Sequence, residues 1–171
     1  ALLMADAFWQ AHSVQPIRIK QLQAAMHALF LSCPRALLPF ETFMYVYTAL
    51  DSCFALQSGI RPPSGHLSHA KRIEWLCVEL GLDPPDWAVP DAAGVVLISK
   101  IRNQAFHEAL FFDEPLGFTA WTGTSTPTHH RNILLEMQNL CCRLIVALLG
   151  RPDCHYVKTG VGTRQIYLLE L

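Results

Sequence analysis

The stretch ISKIRNQAFHEALFF, residues 98–112, sets an arginine, an asparagine and a histidine inside what reads as an amphipathic helix. At about 100° per residue, Ile98, Ile101, Ala105, Ala109 and Phe112 share one apolar stripe facing a core. Asn103 and His107, four residues apart, share another face. Arg102 borders the apolar stripe, roughly 140° around from His107, and its long side chain can lean into the space between the two faces. Cation, amide and imidazole placed in this way can converge on a bound phosphate. The plainer alternative makes Asn103 and His107 an exposed hydrogen-bonding pair that adds about a few tenths of a kcal/mol to the helix.

The elements that must hold these residues follow from the spacing of apolar positions. A first helix near 15–32 starts on Pro16 and carries Ile19, Leu22, Ala25, Met26, Leu29 and Phe30 at three- and four-residue steps. A second, about 40–58, lines up Phe43, Val46, Tyr47, Leu50 and Phe54, with Gly59 just past its end. RPPSG breaks the chain. A third helix over about 66–81 presents Ile73, Leu76, Cys77 and Leu80 and closes on Gly81. The fourth follows Pro90 and holds the opening stretch. A long loop, DEPLGFTAWTGTSTP, then leads to Thr126 and Pro127, which fit N-cap and first-turn positions of a fifth helix ending at Gly150. Residues 155–171 read as two short extended pieces around Gly160 and Gly162, a hairpin packed on the bundle. The expected fold is all-α: a helical bundle of about five helices with a small C-terminal β-hairpin.

At 171 residues the chain is expected to form a single domain, 1–171, with residues 1–14 as a linker remnant and 155–171 as a β appendage. The absent initiator Met fits a processed start or the C-terminal part of a longer protein. With 51% hydrophobic and 16% charged residues the composition is globular, not disordered. A formal net charge of −1 excludes a broadly basic surface, so a nucleic acid would be held at a local site. Cys33, Cys53, Cys77, Cys141, Cys142 and Cys154 form no CxxC pair and read as buried free thiols in a reducing cytoplasm. LCCRLIVALLG is too short for a membrane span and is interrupted by Arg143, and no signal peptide is evident.

The order Arg102-Asn103-Gln104-Ala105-Phe106-His107, on the penultimate long helix of a small α bundle, resembles the HEPN superfamily, whose signature is Arg, four to six residues, then His, commonly with Asn after the Arg. Arg61 and His66 meet the same spacing, but through PPSG, which cannot be a helix interior. ETFMYVYTALDSCFAL, with Asp51 after Ala49-Leu50, is similar to the ApeA-type HEPN domains, which carry an acidic residue after Ala-Leu. The resemblance covers roughly residues 15–150.

What it implies is a metal-independent endoribonuclease, a toxin or antiviral-defence effector, working in the cytoplasm as a homodimer whose motif helices meet across a cleft. His107 would take the proton from a ribose 2'-OH, and Arg102 would stabilise the charge growing on the phosphate. Asn103 would orient His107 or bond a phosphate oxygen. Only RNA supplies the 2'-OH. An antitoxin or a fused sensor domain is the further partner implied. The alternatives are a non-catalytic HEPN-like module that binds RNA or a nucleotide, and a helical dimerisation domain without a ligand.

Supporting positions are Asp51 and Ser99. Asp51 can steer a catalytic side chain, but a surface carboxylate or a partner for Arg102 or Lys100 is as good a reading. Phe118 and Trp121 in the long loop can stack a base or fold back on the bundle. No cofactor and no metal are expected: His66 with His69, and His129 with His130, lack further ligands at fitting spacing and read as solvated first-turn histidines.

Overall fold

The computed structural model describes residues 2–34, 36–107 and 132–159, apart from the side chains of Ala105 and His107. Their elements are α1 (Leu2–His12), α2 (Pro16–Leu31), α3 (Pro39–Ile60), α4 (His69–Glu79), a 3-10 turn (Asp86–Ala88), α5 (Leu97–His107), α6 (Ile133–Leu148) and α7 (His155–Lys158). No strand occurs among the described residues beyond an isolated bridge between Pro90 and Val96.

α3 is the longest helix and packs against α2, α4 and α6. Pro39 opens it, and the Glu41 carboxylate turns back to accept the Leu38 backbone N–H at 2.8 Å. Phe43, Val46, Leu50 and Cys53 of α3 are buried against Leu22 and Ala25 of α2, Leu76 of α4, and Met137 and Leu144 of α6. Ile98 and Ile101 bring the predicted stripe of α5 into the same core. Helix ends follow local chemistry. At Gly81, with φ +69°, the Leu82 N–H bonds the Cys77 carbonyl at 2.8 Å and closes α4. Asn132 caps α6 by accepting the Leu135 N–H at 3.0 Å. The helix thus begins at Ile133, later than the start expected at Thr126–Pro127, two residues that lie outside the described ones.

Several expectations are corrected. The first dozen residues are not linker but α1, held to the rest by the buried Phe8. One anchor makes no periodic stripe, which is why the pattern of apolar residues misses this helix. Gly59 falls within the last turn of α3, which runs to Ile60. α5 begins at Leu97, later than Pro90 suggests. Asp91 Oδ1 accepts the N–H groups of Ala93 and Val95, both at 2.8 Å, and Gly94 at φ +77° completes a turn in its place. On α2, Met26 and Phe30 are exposed while Ala28 is buried, because the helix turns Ile19, Leu22, Ala25 and Ala28 toward its neighbours. Cys33 is an exposed thiol, whereas Cys53, Cys77 and Cys141 are buried as expected.

The C-terminal hairpin is also corrected where it can be seen. His155–Lys158 is a helical turn whose N–H groups bond locally, Val157 to the Cys154 carbonyl at 3.0 Å and Thr159 to that of His155 at 3.0 Å. The carbonyl of Val157 accepts from the buried Arg143, Nε at 2.8 Å and Nη2 at 2.6 Å. Backbone groups satisfied in this way are not free for a strand partner. Residues 160–171 lie outside the described residues.

Candidate functional site

α3 lays one side of its surface open beside α2, α4 and α5, and a groove of about 520 Å3 runs there. Its floor is Tyr47, Thr48, Asp51, Ser52 and Ala55 of α3. Lys20, Gln21 and Ala24 of α2 form one wall, and His69 of α4 with Arg102 and Phe106 of α5 form the other. The spacing on α3 explains the floor: positions 47, 48, 51, 52 and 55 recur at three and four residues, the period of one helix face.

Arg102 is half-buried and lies over two aromatic rings, 6.0 Å from the Tyr47 centroid and 5.7 Å from that of Phe106. Its Nη1 donates to Asn103 Oδ1 at 3.2 Å. Asn103 is exposed and stands outside the groove lining, so within the chain it acts on the arginine it follows. Ser99 is half-buried in the first turn of α5 and does not line the groove either. The backbone of His107 closes the described part of α5, while its side chain, Phe118, Trp121, His129 and His130 lie outside the described residues.

Asp51 reaches the groove but pairs with neither Arg102 nor Lys100. Its Oδ1 accepts from Arg72 Nη1 at 2.7 Å, a bond between α3 and α4. Arg72 also lies 5.0 Å from the Phe54 ring centroid, and its Nε is buried without a hydrogen-bond partner among the described residues. The pair is partly exposed, so its direct contribution to stability is small, about 0–1 kcal/mol. What it does set is the charge at this end of the groove.

His69, which the sequence reads as a solvated first-turn histidine, instead lines the groove with part of its ring buried. It opens α4 just after Ser68, whereas His66 stands in the preceding loop and is exposed. The Nδ1 of His69 is buried and has no hydrogen-bond partner among the described residues. Burial lowers its pKa from the ordinary imidazole range, and the Arg72 and Arg102 guanidinium groups lower it further. Asp51 opposes them, and His66 adds a smaller lowering effect. Tyr47 is pushed the other way, up, by burial and by Asp51 against the two arginines, so its phenol remains a neutral donor. Among the described residues no group of three His, Cys, Asp or Glu side chains is arranged to hold a metal ion.

These causes fix a measurable pattern. In an NMR titration, His69 is expected to protonate below pH 6.5, the usual midpoint. Asp51→Asn should lower its midpoint further, and Arg102→Met should raise it. A His69 midpoint that ignores both substitutions would show that the charges described here do not meet at the imidazole.

No family model matches the chain, and comparison with curated proteins and with solved structures found no similar one. No helix among the described residues is long and apolar enough to cross a membrane.

Proposed function

We propose that the protein is a metal-independent endoribonuclease of the HEPN kind, acting as a homodimer in the cytoplasm in a toxin or antiviral-defence role. The observation that carries this reading is the position of Arg102 on the wall of an open groove, beside Lys20, His69 and the neutral phenol of Tyr47. The groove's volume of about 520 Å3 is in the range of small-ligand sites, and its cations suit an anion bound at one place on a chain of near-zero net charge. Arg102, stacked on two rings and bonded to Asn103, brings to the groove wall the guanidinium whose fork of N–H groups matches phosphate oxygens. His107, on the same helix, is the base that takes the 2'-OH proton.

The homodimer is supported by the side of α5 turned away from the core, where Ser99, Asn103 and Phe106 share one face and Phe106 is exposed. Light scattering at micromolar concentration should give twice the chain mass; a monomer would count against a shared cleft. For activity, purified protein is incubated with RNA in EDTA. Fragments with 2',3'-cyclic phosphate and 5'-hydroxyl ends should form, and DNA of the same sequence should stay intact. Cleavage that requires added magnesium, or none at all, would overturn the reading and leave a domain that binds phosphate without breaking a bond.

A further inference from the structure

We propose that His69 is a second acid–base residue of the groove, the one that delivers a proton to the ribose 5'-oxygen as it leaves. The inference deepens the ribonuclease reading above and rests on it. In that reaction the 2'-oxygen forms a bond to phosphorus, the bond from phosphorus to the 5'-oxygen breaks, and the 2'-OH proton passes to His107. The departing 5'-oxygen carries the electron pair of the broken bond, and an alkoxide is a poor leaving group unless a proton arrives with the bond change. A protonated His69 supplies that proton and ends neutral. His107 ends protonated, and exchange with water resets both.

The placement of His69 fits the task. It stands on α4 and shares the groove with Arg102 of α5, the group that binds the phosphate in this reading, so donor and phosphate ligand come from two separate elements. Its Nδ1 is buried in the protein, which leaves Nε2 as the nitrogen for a ligand in the groove. The competing donor on the floor is Tyr47, and burial together with Asp51 makes that phenol a weaker acid than usual.

The charges around His69 also suggest when it takes up its proton. Arg72 on its own helix, Arg102 on α5 and His66 in the preceding loop disfavour the imidazolium in the empty groove, and only Asp51 on α3 favours it. Lys20 of α2 adds a positive charge to the opposite wall. A phosphodiester bound among these cations reverses the balance, and the negative charge that grows in the transition state reverses it further. The proton is thus held most firmly when the substrate is there to receive it.

The test uses RNA with a single bridging 5'-sulfur at the scissile position, because a thiolate leaves without needing a proton. His69→Ala and His69→Gln should each slow cleavage of ordinary RNA by roughly 10²–10³-fold, the range for loss of a general acid, yet cleave the sulfur-bridged linkage at close to the wild-type rate. His107→Ala should be slow on both substrates. Circular dichroism on each variant establishes that the helices remain. If the His69 variants are equally slow on both substrates, or as fast as wild type on both, His69 is not the proton donor. A wild-type protein that cuts neither substrate overturns the ribonuclease reading itself, and this assignment with it.

Discussion

Replacing His107 or Arg102 with alanine is expected to slow RNA cleavage by roughly two to four orders of magnitude, because each removes a group for which the reaction has no substitute. Without His107 the 2'-OH must lose its proton to water. Without Arg102 the phosphate keeps only the more distant cations of the groove while its negative charge grows. Arg102→Lys should recover part of the loss and no more, since an ammonium restores the charge but not the two-pronged contact with phosphate oxygens. The fold should survive these changes. Arg102→Ala gives up its contacts with the Tyr47 and Phe106 rings, worth about 0.5–1 kcal/mol at a partly exposed site. In wild type the rate should trace a bell against pH, falling on the acid side as the base is protonated and on the alkaline side as the donor loses its proton. Equal cleavage by wild type and the double variant would remove Arg102 and His107 from the chemistry.

The largest effect on stability is expected at Trp87. Its indole is 1% exposed, and its Nε1–H donates to Glu136 Oε2 on α6 at 3.1 Å. Trp87→Ala opens a large cavity and strips a hydrogen bond, and should cost about 3–5 kcal/mol. For a chain of this size that lowers the melting temperature by roughly 6–20 °C. Trp87→Phe, which keeps most of the buried ring, should cost less. Trp9 offers the control: it is 51% exposed, and Trp9→Ala should change the melting temperature far less. If the two alanine variants melt alike, Trp87 does not anchor the turn to α6. The consequence reaches the groove, because the Asp86–Ala88 turn packs against both α4 and α5, the helices that carry His69 and Arg102.

Helix periodicity makes most of the scaffold legible in the sequence. Phe43, Val46 and Leu50 declare the buried side of α3, Ile98 and Ile101 that of α5, and Gly81 and Gly150 the ends of α4 and α6. It fails where one residue does the anchoring, as Phe8 does for α1, and where a side chain such as Asp91 spends backbone donors on a turn. The C-terminal piece misleads for a related reason. Val157 looks like a strand residue, but what holds it is Arg143 from a helix before it, a contact no local pattern records.

The candidate site divides in the same way. Arg102, Asn103 and His107 stand out because they are close in sequence on one helix. His69 and Lys20 do not, because only the packing of α2 and α4 beside α5 brings them to the same groove. Asp51 can be picked out but its partner cannot: Arg72 is on the next helix, and helical spacing says nothing about which cation meets a carboxylate across an interface.

α3 faces two environments at once. Phe43, Val46, Leu50 and Cys53 fasten one side of it into the core, and Tyr47, buried at the edge of that side, forms with Asp51 and Ala55 the bed on which a ligand would lie. Tyr47 and Val46 are neighbours on one stiff rod, so a methyl group lost from the interior is transmitted to the ligand bed as a tilt or a slip rather than absorbed by a loop. Mutational tolerance should therefore be uneven along this helix. Substitutions that merely soften α6, which lines no part of the groove, trade away stability alone, whereas on α3 stability and recognition are inherited together, and a chain under selection for one would be held to the other.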